Sequence, residues 1–325
     1  MYQATPTAAL PPTLTEAIRL RQAGDAAGAL ALAERHAAAN EAGAPFLAIA
    51  GLAALELGDA PRAVTHLETL ARLRPDDSEI RGDLARALLA AGREDEALAL
   101  AQGSNLPALA RIEAWVRQQR GEMALAVQAY GRVLQGEPAD AASWNNLGNI
   151  HAAAGHFDQA INAFEHAITY QPGEVGIYLN LADVLRQADL GEPRLKVARD
   201  AVAVAPDSRA AQTELGMALA HNELLDEAIT VLEAAVQRWP DFGEAQLELG
   251  RLYEATNRTE ALAAFLATLD PAACPPEVAF LHAWLAQREG RFEDAARHAE
   301  AIPTTIHPMR RAALIGNIAE RRGDA

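Results

Sequence analysis

Metal or acid–base chemistry needs donors brought together, and the strongest donors of this sequence are scattered. The histidines are His36, His66, His151, His156, His166, His221, His282, His298 and His307. None forms an HExxH pair or an i, i+4 pair on one helix face, so no metal site and no cofactor is expected. Cys274 is the only cysteine, which rules out an internal disulfide framework. With nothing basic beside it, it reads as an inert residue in the loop before Pro275-Pro276. There is no glycine-rich phosphate loop and no Gly-x-Ser-x-Gly elbow. Asp and Glu number 44 and bring the formal net charge to −16. Solvated helix faces account for them better than paired catalysis, and no catalytic residue is assigned. The same charge argues against binding nucleic acid through its phosphates or lying on an anionic membrane.

The residues suited to recognition are of another kind. Asn145, Asn146, Asn149 and Asn180 carry carboxamides, which donate and accept at once. Arg111, Asp183, Arg186 and Arg251 bring charge, and Trp115 brings the ring type that dominates binding hot spots. Phe280 and Trp284 are further aromatic candidates. At helical spacing, Trp115 and Trp284 also read as side chains packed between helices, and that reading is the favoured one.

What must position them is a periodic frame. A turn recurs at Gly24, Gly58, Gly92, Gly121, Gly155, Asp189, Glu223, Asn257, Gly290 and Gly323. Most steps are 34 residues, one is 29 and the last two are 33. A period of this size marks a solenoid of small supersecondary units. Seven residues before each turn stands Gly or Ala, from Ala17 and Gly51 to Gly250, Ala283 and Gly316. Five residues after it stands Ala29, Ala63, Ala97, Ala126, Ala160, Ala228 or Ala295, with Ala261 one place early. Small residues at two fixed places predict two helices crossing closely. Pro75, Pro138, Pro172, Pro206 and Pro240 close the second helices. Asp189 and Asn257 suit a left-handed turn, and Glu223 suits it less well.

The residues Trp144, Leu147-Gly148, His151, Ala160, Phe164, Ala167 and Pro172 resemble the tetratricopeptide-repeat pattern. It recurs as Tyr178, Leu181-Ala182, Leu185, Ala201 and Pro206, and as Leu215-Gly216, Ala228, Ala235 and Pro240. The resemblance is most specific in residues 107–270. It implies an all-α, right-handed superhelical solenoid of stacked antiparallel helix pairs. About nine repeats and a terminal half repeat fill residues 10–325 as one solenoid, after a tail at 1–9. It also implies that the first helices line a concave groove that captures a protein or peptide. By the family pattern that groove holds eight basic and seven acidic residues, so nearly all the negative charge is expected outside it. Its first units present Pro11, Leu14, Ile18, Ala48, Leu52 and Leu55, which are apolar. Asn146 and Asn180 resemble the asparagine ladder of protein O-GlcNAc transferases, which holds a peptide backbone. A local helix-to-helix hydrogen bond is an equal reading of them. The family's lysine–asparagine carboxylate clamp is not supported, because the single lysine, Lys196, lies in a second helix.

Two units are irregular. The one at 78–106 is short by about a turn and a half of helix. The one at 175–208 puts Arg194 where alanine is expected, so its second helix should slip or the pair should open. No basic, apolar leader and no membrane-length apolar run is visible, and the cytoplasm is the expected compartment. The sequence stops inside a turn motif, which suggests the N-terminal portion of a longer protein. Residues 302–325 resemble the linker end of bacterial proteins that join tetratricopeptide repeats to a sulfotransferase domain. The expected function is thus a non-catalytic binding scaffold, or else the recruiting arm of a sulfotransferase or, next, a glycosyltransferase. A homodimer through Leu314 and Ile318 at the C-terminal end is a third idea.

Overall fold

The computed structural model describes residues 11–38, 40–269 and 275–322. Cys274, the tail at 1–9 and the turn at Gly323 lie outside the described residues. The described residues form nineteen α-helices and no strand. The chain divides into two compact units, residues 1–150 and 151–325.

The first unit holds α1 (Pro12–Gln22), α2 (Ala26–His36), α3 (Ala44–Glu56), α4 (Ala60–Leu73), α5 (Ser78–Ala90), α6 (Glu94–Ala101), α7 (Pro107–Gln119), α8 (Met123–Gly136) and the start of α9 (Ala141–Ala153). The second holds α10 (Phe157–Tyr170), α11 (Val175–Gln187), α12 (Gly191–Val204), α13 (Arg209–His221), α14 (Leu225–Arg238), α15 (Gly243–Ala255), α16 (Thr259–Leu266), α17 (Val278–Arg288), α18 (Phe292–Ala301) and α19 (Pro308–Arg322). Each helix packs on the next from α1 to α8 in the first unit and from α10 to α19 in the second. First helices also meet across one repeat, α1 with α3 and α5 with α7, then α11 with α13 and α15 with α17. Contacts limited to neighbouring repeats are what a solenoid requires.

The turns explain the helix ends. All nine described turn residues have positive φ, including Asp189 at 58°, Glu223 at 62° and Asn257 at 54°. At each turn two backbone bonds close the helix. At the first, Gly24 N–H donates to the Arg21 carbonyl and Asp25 N–H to the Leu20 carbonyl. This is the Schellman arrangement, which satisfies carbonyls the helix itself leaves unpaired. Glu223 holds the left-handed backbone despite its side chain, because the same bonds, Glu223 N–H to Ala220 O and Leu224 N–H to Leu219 O, enforce it.

The small residues sit where the helices cross. Ala17, Ala85, Ala114, Ala29, Ala63 and Ala160 are fully buried. A Cβ added at Gly51 would lie 2.6 Å from Leu67 Cγ, and one at Gly216 would lie 2.5 Å from Leu232 Cγ. In the eighth repeat Leu262 takes the buried site and Ala261 is only half-buried, so the early alanine is not its replacement. That repeat's second helix, α16, spans 8 residues, as short as α6 and shorter than the 14 of α14.

Of the two outcomes expected at Arg194, the slipped helix does not occur. α12 begins two residues after its turn, as α10 and α14 do, so the helix has not slipped. The guanidinium fills the alanine site at 3% exposure, and its charge is met by Glu214 of α13. Arg194 Nε lies 2.7 Å from Glu214 Oε1 and Nη2 lies 3.1 Å from Oε2.

Candidate functional site

In the first unit, α7 and the start of α9 carry the candidates. Trp115 is 43% exposed, which overturns the favoured reading that it is packed between helices. It faces out because its neighbours Ala114 and Val116 take the buried positions of α7. Arg111, one turn earlier, donates to Glu137 Oε2 at 2.5 Å and to Asp140 Oδ2 at 3.1 Å. Asp140 also accepts from Ser143 Oγ at 2.7 Å, so these bonds tie α7 to the first turn of α9. Arg86 is exposed and bonded to Asp83 on its own helix. Asn149 is exposed.

Asn146 has a structural partner. Its Nδ2 donates to the Tyr130 hydroxyl at 2.9 Å, and that hydroxyl donates to Gln118 Oε1 at 2.8 Å. The chain links α9, α8 and α7. Tyr130 is almost wholly buried, and burial pushes its phenol up to about 12, with the bond from Asn146 opposing the rise. The phenol therefore stays protonated and keeps its donor role at neutral pH. Asn145 and Asn180 are not without partners either.

In the second unit, Asp183 of α11 is the hub of a local network. Its Oδ1 accepts from Arg186 Nη2 at 2.6 Å and its Oδ2 from Gln187 Nε2 at 2.7 Å. Arg251 of α15 donates to Glu248 Oε1 at 2.6 Å. Burial raises the carboxyl pKa of Glu254, and Arg310 and Arg251 oppose the rise. Burial also raises that of Glu244, with help from Glu248 and Glu214. Phe280 is 4% exposed and covered by Arg310 at 4.9 Å, so it is not an available anchor. Trp284 is half-buried, with Arg288 5.4 Å from its ring. In the first unit Leu14 is buried as well, leaving Ile18, Ala48, Leu52 and Leu55 half-buried and Pro11 exposed.

This arrangement suits recognition. Surface ion pairs such as Arg186–Asp183 are worth about 0–1 kcal/mol and exchange readily for a ligand's charges. An exposed indole offers apolar area with a donor at its edge. Among the described residues no three His, Cys, Asp or Glu side chains are grouped to hold a metal. No helix among them is long and apolar enough to cross a membrane.

Sequence reasoning missed two buried carboxylates. One is Glu214 with Arg194. Its signal was an arginine at an alanine position, whose charge demands a partner. The other is Glu113, 5% exposed, which accepts from Gly103 N–H at 2.7 Å and from Arg132 Nη2 at 2.6 Å and so pins the loop after the short α6. At the C-terminal end, Ile318 is 1% exposed and Leu314 half-buried. Both pack inward with Ala283, Ala286, Ala295 and Ala299, so they do not form an outward contact surface.

Family models agree with this architecture. One family model described as Tetratricopeptide repeat matches residues 54–113 and 219–285, another 141–174 and a third 195–241. A search of the curated proteins finds no match. Among solved structures, a chain of the APC/C hetero-tetramer Cut9-Hcn1 is similar with a TM-score of 0.50 and 13% identity, over 84% of this chain and 55% of that one. A crystal structure of MamA gives a TM-score of 0.46 at 16% identity, over 57% of this chain and 93% of that one. MamA from Desulfovibrio magneticus RS-1 gives 0.46 at 21% identity, over 51% and 93%. With a repeated helix pair, a left-handed turn, a small-residue crossing and family matches over more than half its length, this chain belongs to the tetratricopeptide-repeat family.

Proposed function

We propose that this protein is a non-catalytic scaffold that captures a protein or peptide on the face formed by its first helices. The observation that carries the reading is Trp115, whose indole is 43% exposed on α7 while the other three tryptophans are half-buried. Arg111, Asn145, Asn146 and Asn149 surround it in sequence register on α7 and α9. Asn180, Asp183 and Arg251 take the same helix positions in the second unit, and Arg186 lies about one turn beyond Asp183. The similar chain of the Cut9-Hcn1 hetero-tetramer works within a protein assembly, which agrees with a binding role. The cytoplasm is the expected compartment on sequence grounds.

Affinity capture with the immobilised full chain tests the reading. A partner held by the parent should be lost with Trp115→Ala, and retention would refute the role of this face. Unchanged affinity in the double variant Asn146→Ala, Asn180→Ala would remove the asparagines from the site. The alternative of a sulfotransferase or glycosyltransferase recruiting arm rests on residues 302–325 alone and gains nothing from the comparisons. A homodimer through Leu314 and Ile318 does not fit their inward packing.

A further inference from the structure

The second unit has a cleft on the side of its second helices, away from the face just described. It measures about 480 Å³ and opens between α10 and α12, with α11 as its floor. Tyr178, Leu181 and Leu185 form that floor and are themselves buried, so the apolar surface on offer comes from the half-buried Ile161, Ile168 and Val197 on the facing walls. Leu190, at the mouth, is 40% exposed. Its volume and apolar lining fall in the range of real binding sites.

The rim carries the information about an occupant. Glu165 of α10 and Lys196 and Asp200 of α12 border the cleft, and all three are exposed. Among the described residues none of the three has a hydrogen-bond or ion-pair partner through its side chain, whereas Arg186 of α11 pairs with Asp183 and Arg199 of α12 with Glu227. Lys196 and Asp200 are four residues apart on one helix face yet do not bridge. Two carboxylates and one ammonium thus sit unpaired around an apolar floor.

We propose that this cleft docks an amphipathic helix of a partner protein, one with an apolar ridge flanked by basic residues. Its basic side chains would meet Glu165 and Asp200, and a single acidic one would meet Lys196. The lining runs from Ile161 to Thr169 along α10, which is roughly 12 Å at 1.5 Å per residue, or two turns of helix. A groove between two helices takes a third by ridge packing, with anchors at i, i+3, i+4 and i+7. The charged rim fixes which helix: acidic flanks would face Glu165 and Asp200 and be repelled. This site is independent of the Trp115 face, so either can fail without the other.

The test uses the full chain and a fluorescein-labelled helical peptide of about fourteen residues, with leucines at the anchor spacing and lysines on the flanks. Fluorescence anisotropy at physiological ionic strength should show saturable one-to-one binding. Val197→Arg and, separately, Leu190→Glu should each weaken it about tenfold or more. The charge reversal Glu165→Lys, Asp200→Lys changes only exposed side chains and keeps the test valid if an apolar variant misfolds. It should weaken the lysine-flanked peptide and improve binding of a glutamate-flanked one. Val236→Arg, in the separate cleft beside α14, should change nothing. Equal binding of a scrambled peptide would overturn the proposal, because it would mean nonspecific capture by the net charge of −16. So would unchanged affinity in the charge-reversal variant, or a loss in Trp115→Ala. Saturation by a small apolar dye with no peptide binding would overturn it too.

Discussion

Replacing Glu214 by alanine strands a buried guanidinium. Arg194 is 3% exposed and Glu214 is 8% exposed, and two charge-assisted bonds at 2.7 and 3.1 Å join them. On the surface such a pair would be worth about 0–1 kcal/mol. Burial decides otherwise, since removing one partner of a buried pair costs about 3–5 kcal/mol. At roughly 2–4 °C per kcal/mol for a unit of this size, Glu214→Ala should lower the melting temperature by roughly 6–20 °C. Arg194→Ala with Glu214→Asn recreates the pair that stands one repeat earlier, Ala160 and Asn180. The double variant should therefore cost less than Glu214→Ala alone, with a coupling of about 2 kcal/mol. Thermal melts by circular dichroism give the energies. Hydrogen exchange at the α12 and α13 amides localises the loss, which matters because a solenoid can unfold in parts. The reasoning fails if Glu214→Ala stays within about 1 kcal/mol of the parent, or if the two single costs simply add.

Other perturbations separate tight sites from open ones. Gly216→Ala drives a Cβ into Leu232 and should cost about 1–3 kcal/mol, while Gly316→Ala, with nothing within 4 Å, should be neutral or stabilise by about 0.5–1 kcal/mol. Paired chemical denaturation curves would show the contrast. Asn146→Ala removes the bond to Tyr130 and should cost about 1 kcal/mol in the same assay; no cost would free Asn146 for a ligand role. His282 and His298 stack at 5.0 Å, and burial lowers the pKa of both. Their folded pKa values lie below the unfolded 6.5, so the unfolded chain binds more protons in that window. Stability should thus fall as pH drops from about 6.5 through their folded values, and His282→Gln should blunt the fall in pH-dependent melts.

The repeat frame was legible because each of its devices is local. A left-handed turn residue, a small crossing residue and a terminating proline all act within one helix pair, so spacing alone exposes them. Glu223 shows the limit of side-chain preference, since two backbone bonds hold it where glycine is expected. Arg194 was legible as an anomaly but not as a solution. Its counterion stands 20 residues away on the next helix, in the row that Asn146 and Asn180 occupy. Trp115 was misjudged for a similar reason. Helical spacing places a residue on a face, and only neighbouring helices decide whether that face is covered. The shortening of α16 escaped notice because Ala261 mimicked the crossing alanine while Leu262 took the site.

The central claim is that the first-helix face binds, with Trp115 as its anchor. Calorimetric titration of the captured partner against the parent chain, Trp115→Ala and Trp115→Phe tests it most directly. A hot-spot indole is worth about 2 kcal/mol or more, so Trp115→Ala should weaken binding by roughly thirtyfold, with partial recovery in Trp115→Phe. Equal affinity for all three, with the fold intact, would contradict the account.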